Sequence, residues 1–269
     1  METIVSKSFW LKYQHRYQRL RSHLCIGLDS RLDKLPPCVQ DADNPIWEFN
    51  REIIDYTKEF ATAYKPNLAF YLADGIRGLD ALYATVDHIP EDIPIILDCK
   101  VGDIGSTMTG YVQAFFRDLK VDAITLNPLM GRDVMAPVLE QAGSFAFALA
   151  LTSNPGAEDF FHGSDMKHAV PQWINEFDET RVGAVVGATQ VQHLQEMRKQ
   201  MPGRLFLIPG IGAQGGDLEA VLRFAISSPE DPRILINSSR GIIFASLEKD
   251  FAQVAAQKAQ TLFEACKTR

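Results

Sequence analysis

The chain has no uninterrupted apolar run of the ~18 residues that a membrane-spanning helix needs. Residues 1–20 mix charges and aromatics where a secretory signal would have an apolar core. A soluble, unprocessed, cytoplasmic protein without a membrane partner is expected. The four cysteines, Cys25, Cys38, Cys99 and Cys266, are widely spaced with no CxxC pair, which argues against a disulfide framework. The six histidines (His15, His23, His88, His162, His168 and His193) show no ligand spacing with Asp or Glu, so no metal is expected. Basic charge is also short: 27 Lys and Arg against 34 Asp and Glu leave a formal charge of −7. Without a positive field, nucleic acid is not an expected partner, and any anionic ligand must be held by local donors. A small-molecule ligand is favoured.

With 269 residues, 46% of them hydrophobic, the chain can bury a full core as one domain spanning 1–269. Eight short apolar runs, at 23–29, 62–66, 93–100, 123–127, 144–152, 182–188, 205–209 and 233–237, read as strands. Helical spacing recurs between them, at 47–60, 107–119, 134–141, 190–200, 218–226 and 244–266. A repeated strand-then-helix order without hairpin signals predicts parallel pairing, and eight such units in about 250 residues predict a TIM (β/α)8 barrel. Residues 1–20, carrying Phe9, Trp10, Tyr13, Tyr17 and Leu20, predict an extra N-terminal helix capping the barrel bottom. The small, polar stretch 154–163 reads as a mobile lid over the opposite face.

The densest chemistry lies in residues 95–111, IILDCKVGDIGSTMTGY. Asp98, Lys100 and Asp103 are too many charges for an ordinary buried strand, and Asp98 and Lys100, two apart, project to the same side. Polar residues also end the other runs: Asp29, Lys65, Asn127, Ser153 and Arg240. In a barrel these converge on one mouth, where several buried ions are costly unless function requires them. A second signal is residues 209–216, PGIGAQGG, in which Gly210, Gly212 and Gly215 have GxGxxG spacing. A dinucleotide site would sit early in the domain, with an acid ending the next strand; this stretch follows the seventh strand, and the eighth runs into Asn237, Ser238, Ser239 and Arg240. A barrel phosphate site fits better. A glycine-rich turn without a ligand remains the structural alternative.

Asp98, Lys100, Asp103, Ile104 and Thr107 match the DxKxxDIxxT signature, and in this the chain resembles the orotidine 5′-phosphate decarboxylase family. Gly27 to Asp29 (GLD), Lys65 to Asn67 (KPN), Leu151 to Ser153 (LTS), PGIGAQGG and Ser238 to Ile242 (SSRGI) extend the likeness, which is to the longer bacterial subfamily. The resemblance implies cofactor-free, metal-free conversion of orotidine 5′-monophosphate to UMP and CO2 in pyrimidine biosynthesis. It implies Lys100 as proton donor to C6, Asp98 against the leaving carboxylate, and Lys65 and Asp103 completing an alternating charged network. It further implies a homodimer with shared sites, Asp103 and Thr107 reaching into the partner's. Asp29, Lys65 and Thr107 would hold the ribose hydroxyls, Ser153 the pyrimidine edge, and Gln214, Arg240 and the Gly212 amide the phosphate. Val101 stands where many relatives carry a basic residue, and Ser239 where many shorter members have glycine.

Three other readings share the barrel. A metal-dependent 3-keto-gulonate phosphate decarboxylase would need a magnesium-ligand set, and a Schiff-base aldolase an isolated, desolvated lysine, whereas both lysines here have acidic neighbours. A silent nucleotide-binding module would need a broken charge network, and every position of it is present.

Overall fold

The computed structural model describes residues 8–160, 165–187, 191–210, 218–228, 230–231 and 233–267. Eight parallel strands follow one another around a nearly closed barrel: β1 Leu24–Leu28, β2 Ala63–Pro66, β3 Ile96–Val101, β4 Ala123–Leu126, β5 Phe145–Leu151, β6 Val182–Val186, β7 Phe206–Ile208 and β8 Ile234–Ser238. Continuous ladders run from β2 through β1 and β8 around to β3. The last gap, between β2 and β3, is closed by two isolated parallel bridges, Tyr64 to Ile95 and Asn67 to Asp98. The expected eight-strand barrel is therefore present.

Helices connect and cover the strands: α1 Phe9–Leu20, α2 Pro45–Thr57, α3 Leu68–Leu72, α4 Gly75–His88, α5 Gly105–Val112, α6 Arg132–Glu140, α7 Met166–Ile174, α8 Val191–Gln200, α9 Leu218–Phe224, α10 Arg240–Ile243 and α11 Phe251–Ala265. Their starts follow local chemistry. The Ser8 hydroxyl accepts from Leu11 N at the head of α1, and Asn44 accepts from Trp47 N ahead of Pro45 in α2. The pattern at 107–119 resolves into α5 followed by a wider π-helical turn, Gln113–Asp118. The pattern at 244–266 resolves into α11 alone.

The sequence pattern names no helix between β2 and β3, where α3 and α4 lie, nor between β5 and β6, where α7 lies. Leu72 and Ile76 are 51% and 79% exposed, so apolar residues sit off the buried face and blur the stripe. In α7, Pro171 inside the helix reads as a breaker.

Alternation along the strands produces two packing layers. Leu24, Ile26, Leu28, Tyr64, Leu97 and Ile124 face outward into the helix layer. Cys25, Ala63, Ile96, Ala123, Phe147 and Leu235 face inward and fill the barrel with α1 side chains. Of the cap expected at residues 1–20, Phe9–Leu20 packs on the barrel base and 1–7 lie outside the described residues: Phe9, fully buried, meets Phe145 and Phe147 at ring-centroid distances of 4.6 and 5.6 Å. Trp10, Tyr13 and Tyr17 continue the aromatic plug, so the lower half of the barrel is apolar and the polar groups lie above it. No helix among the described residues is long and apolar enough to cross a membrane.

Phe9→Ala would leave a hole at the base of the barrel that β-strands cannot collapse into. The expected loss is about 3–5 kcal/mol of unfolding free energy, measured by denaturant titration; a loss near zero would show that α1 is only draped on the barrel.

Candidate active site

At the C-terminal ends of the strands lies a cavity of about 360 Å³ lined by Asp29, Lys65, Asp98, Lys100, Ser153 and Arg240. Six of the seven polar strand ends thus meet at one mouth. The exception is Asn127, whose side chain accepts from Leu129 N at 3.1 Å and caps a short 3-10 turn, Pro128–Met130. Leu149, Val185 and Leu207 form an apolar floor, while Asn67, Thr125 and Asn237 add polar groups to the wall.

The charged groups are arranged around Asp98. Its Oδ2 accepts from Lys65 Nζ at 2.9 Å and its Oδ1 from Lys100 Nζ at 2.5 Å. Lys65 also lies 3.9 Å from Asp29 Oδ1, so acid and base alternate from Asp29 to Lys100. The two lysines differ in access: the Lys65 side chain is 4% exposed and the Lys100 side chain 50%. Lys65 is therefore a fixed counter-ion, and Lys100 the ammonium that a ligand can reach. Burial alone would raise the Asp98 pKa, but the Lys65 and Lys100 charges outweigh it and hold the carboxyl well below the usual range. For Lys65 burial opposes the charge, and Asp98 and Asp29 overcome it and push the pKa up.

Backbone shape sets this arrangement. Between β3 and β4 the register shifts, Leu97 pairing Ile124 and Val101 pairing Leu126, so four steps on β3 match two on β4. The surplus forms a bulge at Asp98–Lys100, with Lys100 at φ 46°. Close approach matters twice more. A Cβ on Gly187 would stand 2.9 Å from the Ser153 Cβ, and one on Gly27 would stand 1.7 Å from Ser239 Oγ. Glycine at both places lets neighbouring strand ends crowd together at the mouth.

Asp103 and Thr107 do not line this cavity. Asp103 is half-buried and accepts from its own neighbour, Ile104 N, at 2.8 Å; Thr107 is exposed on α5. The charged network within one chain thus closes without Asp103. Arg240, at the start of α10, is exposed at the rim, and among the described residues it makes no ion pair. Gly212 and Gln214 lie outside the described residues. In the expected lid, Asn154 lines the cavity and Pro155–Asp159 forms a 3-10 turn, with 161–164 outside the described residues.

Sequence reasoning missed Thr125, and named Asn67 and Asn237 only within motifs, without a role. Strand alternation carries the signal for Thr125, which shares the inward face of β4 with Ala123, and for Asn237, which shares that of β8 with Leu235. Asn67 also caps α3, accepting from Ala69 N at 3.2 Å.

Because the folded-state pKa of Asp98 is depressed, its contribution to stability is full above the ordinary carboxylate value of ~3.9 and is lost as pH falls through the folded value. Asp98→Asn leaves the buried Lys65 with Asp29 alone, 3.9 Å away, as counter-charge, at an expected cost of about 3 kcal/mol near neutrality. Denaturant titrations should show the gap between the two proteins narrowing below pH ~4; a gap that widens in acid would contradict the assigned charge state.

The sequence profile described as "Orotidine 5′-phosphate decarboxylase / HUMPS family" matches residues 22–254. An orotidine 5′-phosphate decarboxylase from Phocaeicola vulgatus is 42% identical over 255 residues, covering 90% of this chain and 92% of the relative. Among solved structures, Leishmania donovani OMP decarboxylase superposes with a TM-score of 0.79 at 31% identity, covering 96% of this chain and 99% of that one. Leishmania donovani UMP synthase gives a TM-score of 0.81 at 34% identity; the match covers 95% of this chain and 56% of the synthase. Eight parallel strands, a carboxylate braced by two lysines at their C-terminal mouth, and these matches over most of its length lead to one conclusion: the chain belongs to the orotidine 5′-phosphate decarboxylase family.

Proposed function

We propose that the mouth of the barrel is where orotidine 5′-monophosphate loses CO2 to give UMP, with Lys100 supplying the proton. The observation that carries this reading is the Lys65–Asp98–Lys100 triad, buried at one end and open at the other. Breaking the C6–CO2 bond releases CO2 and leaves its electron pair in an sp2 orbital of C6, which the ring cannot delocalise. A fixed ammonium beside that carbon stabilises the charge in a water-poor site and then transfers a proton to it. The neutral lysine is afterwards reprotonated from solvent. Asp98, kept ionised by two cations, orients Lys100 and lies against the departing carboxylate.

The remaining assignments are part of the same proposal. Asp29 and Lys65, with Thr107, hold the ribose hydroxyls, and Ser153 the pyrimidine edge. Arg240, Gln214 and the Gly212 amide hold the phosphate. Anchoring that remote group draws the 154–163 segment over the base, so its binding energy serves the rate as well as affinity. No metal or organic cofactor is required by this chemistry.

We assign the working enzyme as a homodimer in which Asp103 and Thr107 act across the interface. Their position supports this: both lie outside their own chain's cavity, on the loop and helix after β3. Ile104, Leu129 and Met130, at 51%, 65% and 52% exposure, put apolar surface on the β3 and β4 loops that a second copy would cover. The described cysteines, all four free thiols, suit a reducing, cytoplasmic setting.

The purified chain should lower the long-wavelength ultraviolet absorbance of orotidine monophosphate in the presence of chelator, the product keeping the shorter-wavelength band of its uracil ring; dependence on added metal would overturn the cofactor-free reading. Lys100→Ala should lower turnover by at least about 10³-fold while UMP still binds, and substantial residual turnover would remove Lys100 from its role. Mixing Asp103→Asn with Lys100→Ala subunits should restore one working site in each mixed dimer. With half of the dimers mixed and one of two sites intact, recovery should approach roughly one quarter of wild-type activity. No recovery would argue against sharing across the interface.

A further inference from the structure

Thr125 lies on the cavity wall, and we infer that its hydroxyl, whose hydrogen bonds go to the lysine's own strand, is the positioning element of the triad. The side chain is 1% exposed, on the inward face of β4. Its oxygen accepts from two consecutive backbone amides of the β3 bulge, Cys99 N at 3.1 Å and Lys100 N at 2.9 Å. Its proton goes to Asp98 Oδ1 at 2.9 Å. A hydroxyl has one donor and two acceptor sites, so all of its capacity is spent on three consecutive residues of one loop.

This matters because the bulge removes those amides from the sheet ladder. Two extra residues of β3 have no partners on β4, and Lys100 sits in left-handed backbone that a side chain ordinarily avoids. Amides drawn out of the ladder at this half-buried turn still need acceptors, and the Thr125 oxygen takes both. The Cys99 thiol adds a contact to the Thr125 carbonyl at 3.3 Å, so both polar ends of the same residue brace the bulge. The same oxygen also fixes the carboxylate that Lys100 Nζ contacts at 2.5 Å. Thr125 thereby sets where the Lys100 backbone starts and where its ammonium ends. Asp98 remains bonded to Lys65 whatever stands at 125, so the residue tunes position more than charge.

The inference rests on the proton-donor reading of Lys100, and the test separates the two. Thr125→Ser and Thr125→Ala are compared in the full chain, because both lose the methyl and only the alanine loses the hydroxyl. Their ratio of kcat should be about 10²-fold, the scale of a small misplacement of a reacting group, with KM and UMP affinity changed by less than about threefold because the phosphate contacts are elsewhere. Equal kcat values for the two variants overturn the proposal. Backbone hydrogen exchange at Cys99 and Lys100 gives an independent reading, whether or not the chain turns over orotidine monophosphate. Exchange should accelerate at least about tenfold in the alanine variant relative to the serine one; equal protection overturns the proposal. Failure of the wild-type chain to decarboxylate would sink the functional reading alone.

Discussion

The Asp98 carboxylate, gripped by Lys65 from β2 and by Lys100 from its own strand, is the contact around which the upper barrel is organised. It bridges the one place in the sheet where a continuous ladder is missing, since β2 and β3 meet only through isolated bridges and one of these is Asn67 to Asp98. An ion pair out of water is costly unless each partner is fully engaged. Here Asp98 receives two ammoniums and a hydroxyl, and Lys65 faces two carboxylates. The seam is thus closed by the same charges that line the cavity.

That arrangement depends on what lies beneath it. Aromatic rings from α1 and β5 fill the barrel base, and Leu149, Val185 and Leu207 continue the apolar filling up to the cavity floor. Low polarity below and a crowded rim above mean that the charges feel one another more than they feel solvent. Burial and partnership then act in opposite directions on each group. At Asp98 and Lys65 partnership wins, which keeps both ionised.

Much of this was legible in the residue order. The strands stand out because seven of the eight are buried throughout, as β5, Phe145–Leu151, is, and β3 is buried over its first half, so that each reads as a short apolar run. Asp29, Lys65, Asp98, Lys100, Ser153 and Arg240 stand out because charges or polar groups end those runs. The signal failed where burial is not periodic, as at α3 and α4 with Leu72 and Ile76 exposed, and where Pro171 mimics a helix end in α7. It also failed at the β3 bulge. Nothing in Asp98-Cys99-Lys100 announces a left-handed lysine, because that backbone is enforced by Thr125 on a different strand. Asn127 misled for a related reason: a polar residue ending a strand serves a turn as readily as a ligand.

The closeness of Gly27 to Ser239 has a bearing on how this pocket can be altered. Strands β1 and β8 lie at opposite ends of the chain yet share a hydrogen-bonded border, and the missing side chain of Gly27 is the room in which the Ser239 hydroxyl stands. Neither position is an independent variable. A side chain at 27 displaces the serine beside Arg240, and a bulkier residue at 239, which lines the cavity, presses on Gly27 or narrows the cavity. Remodelling of the Arg240 end of the cavity, by selection or by design, therefore favours paired changes at the two termini of the fold.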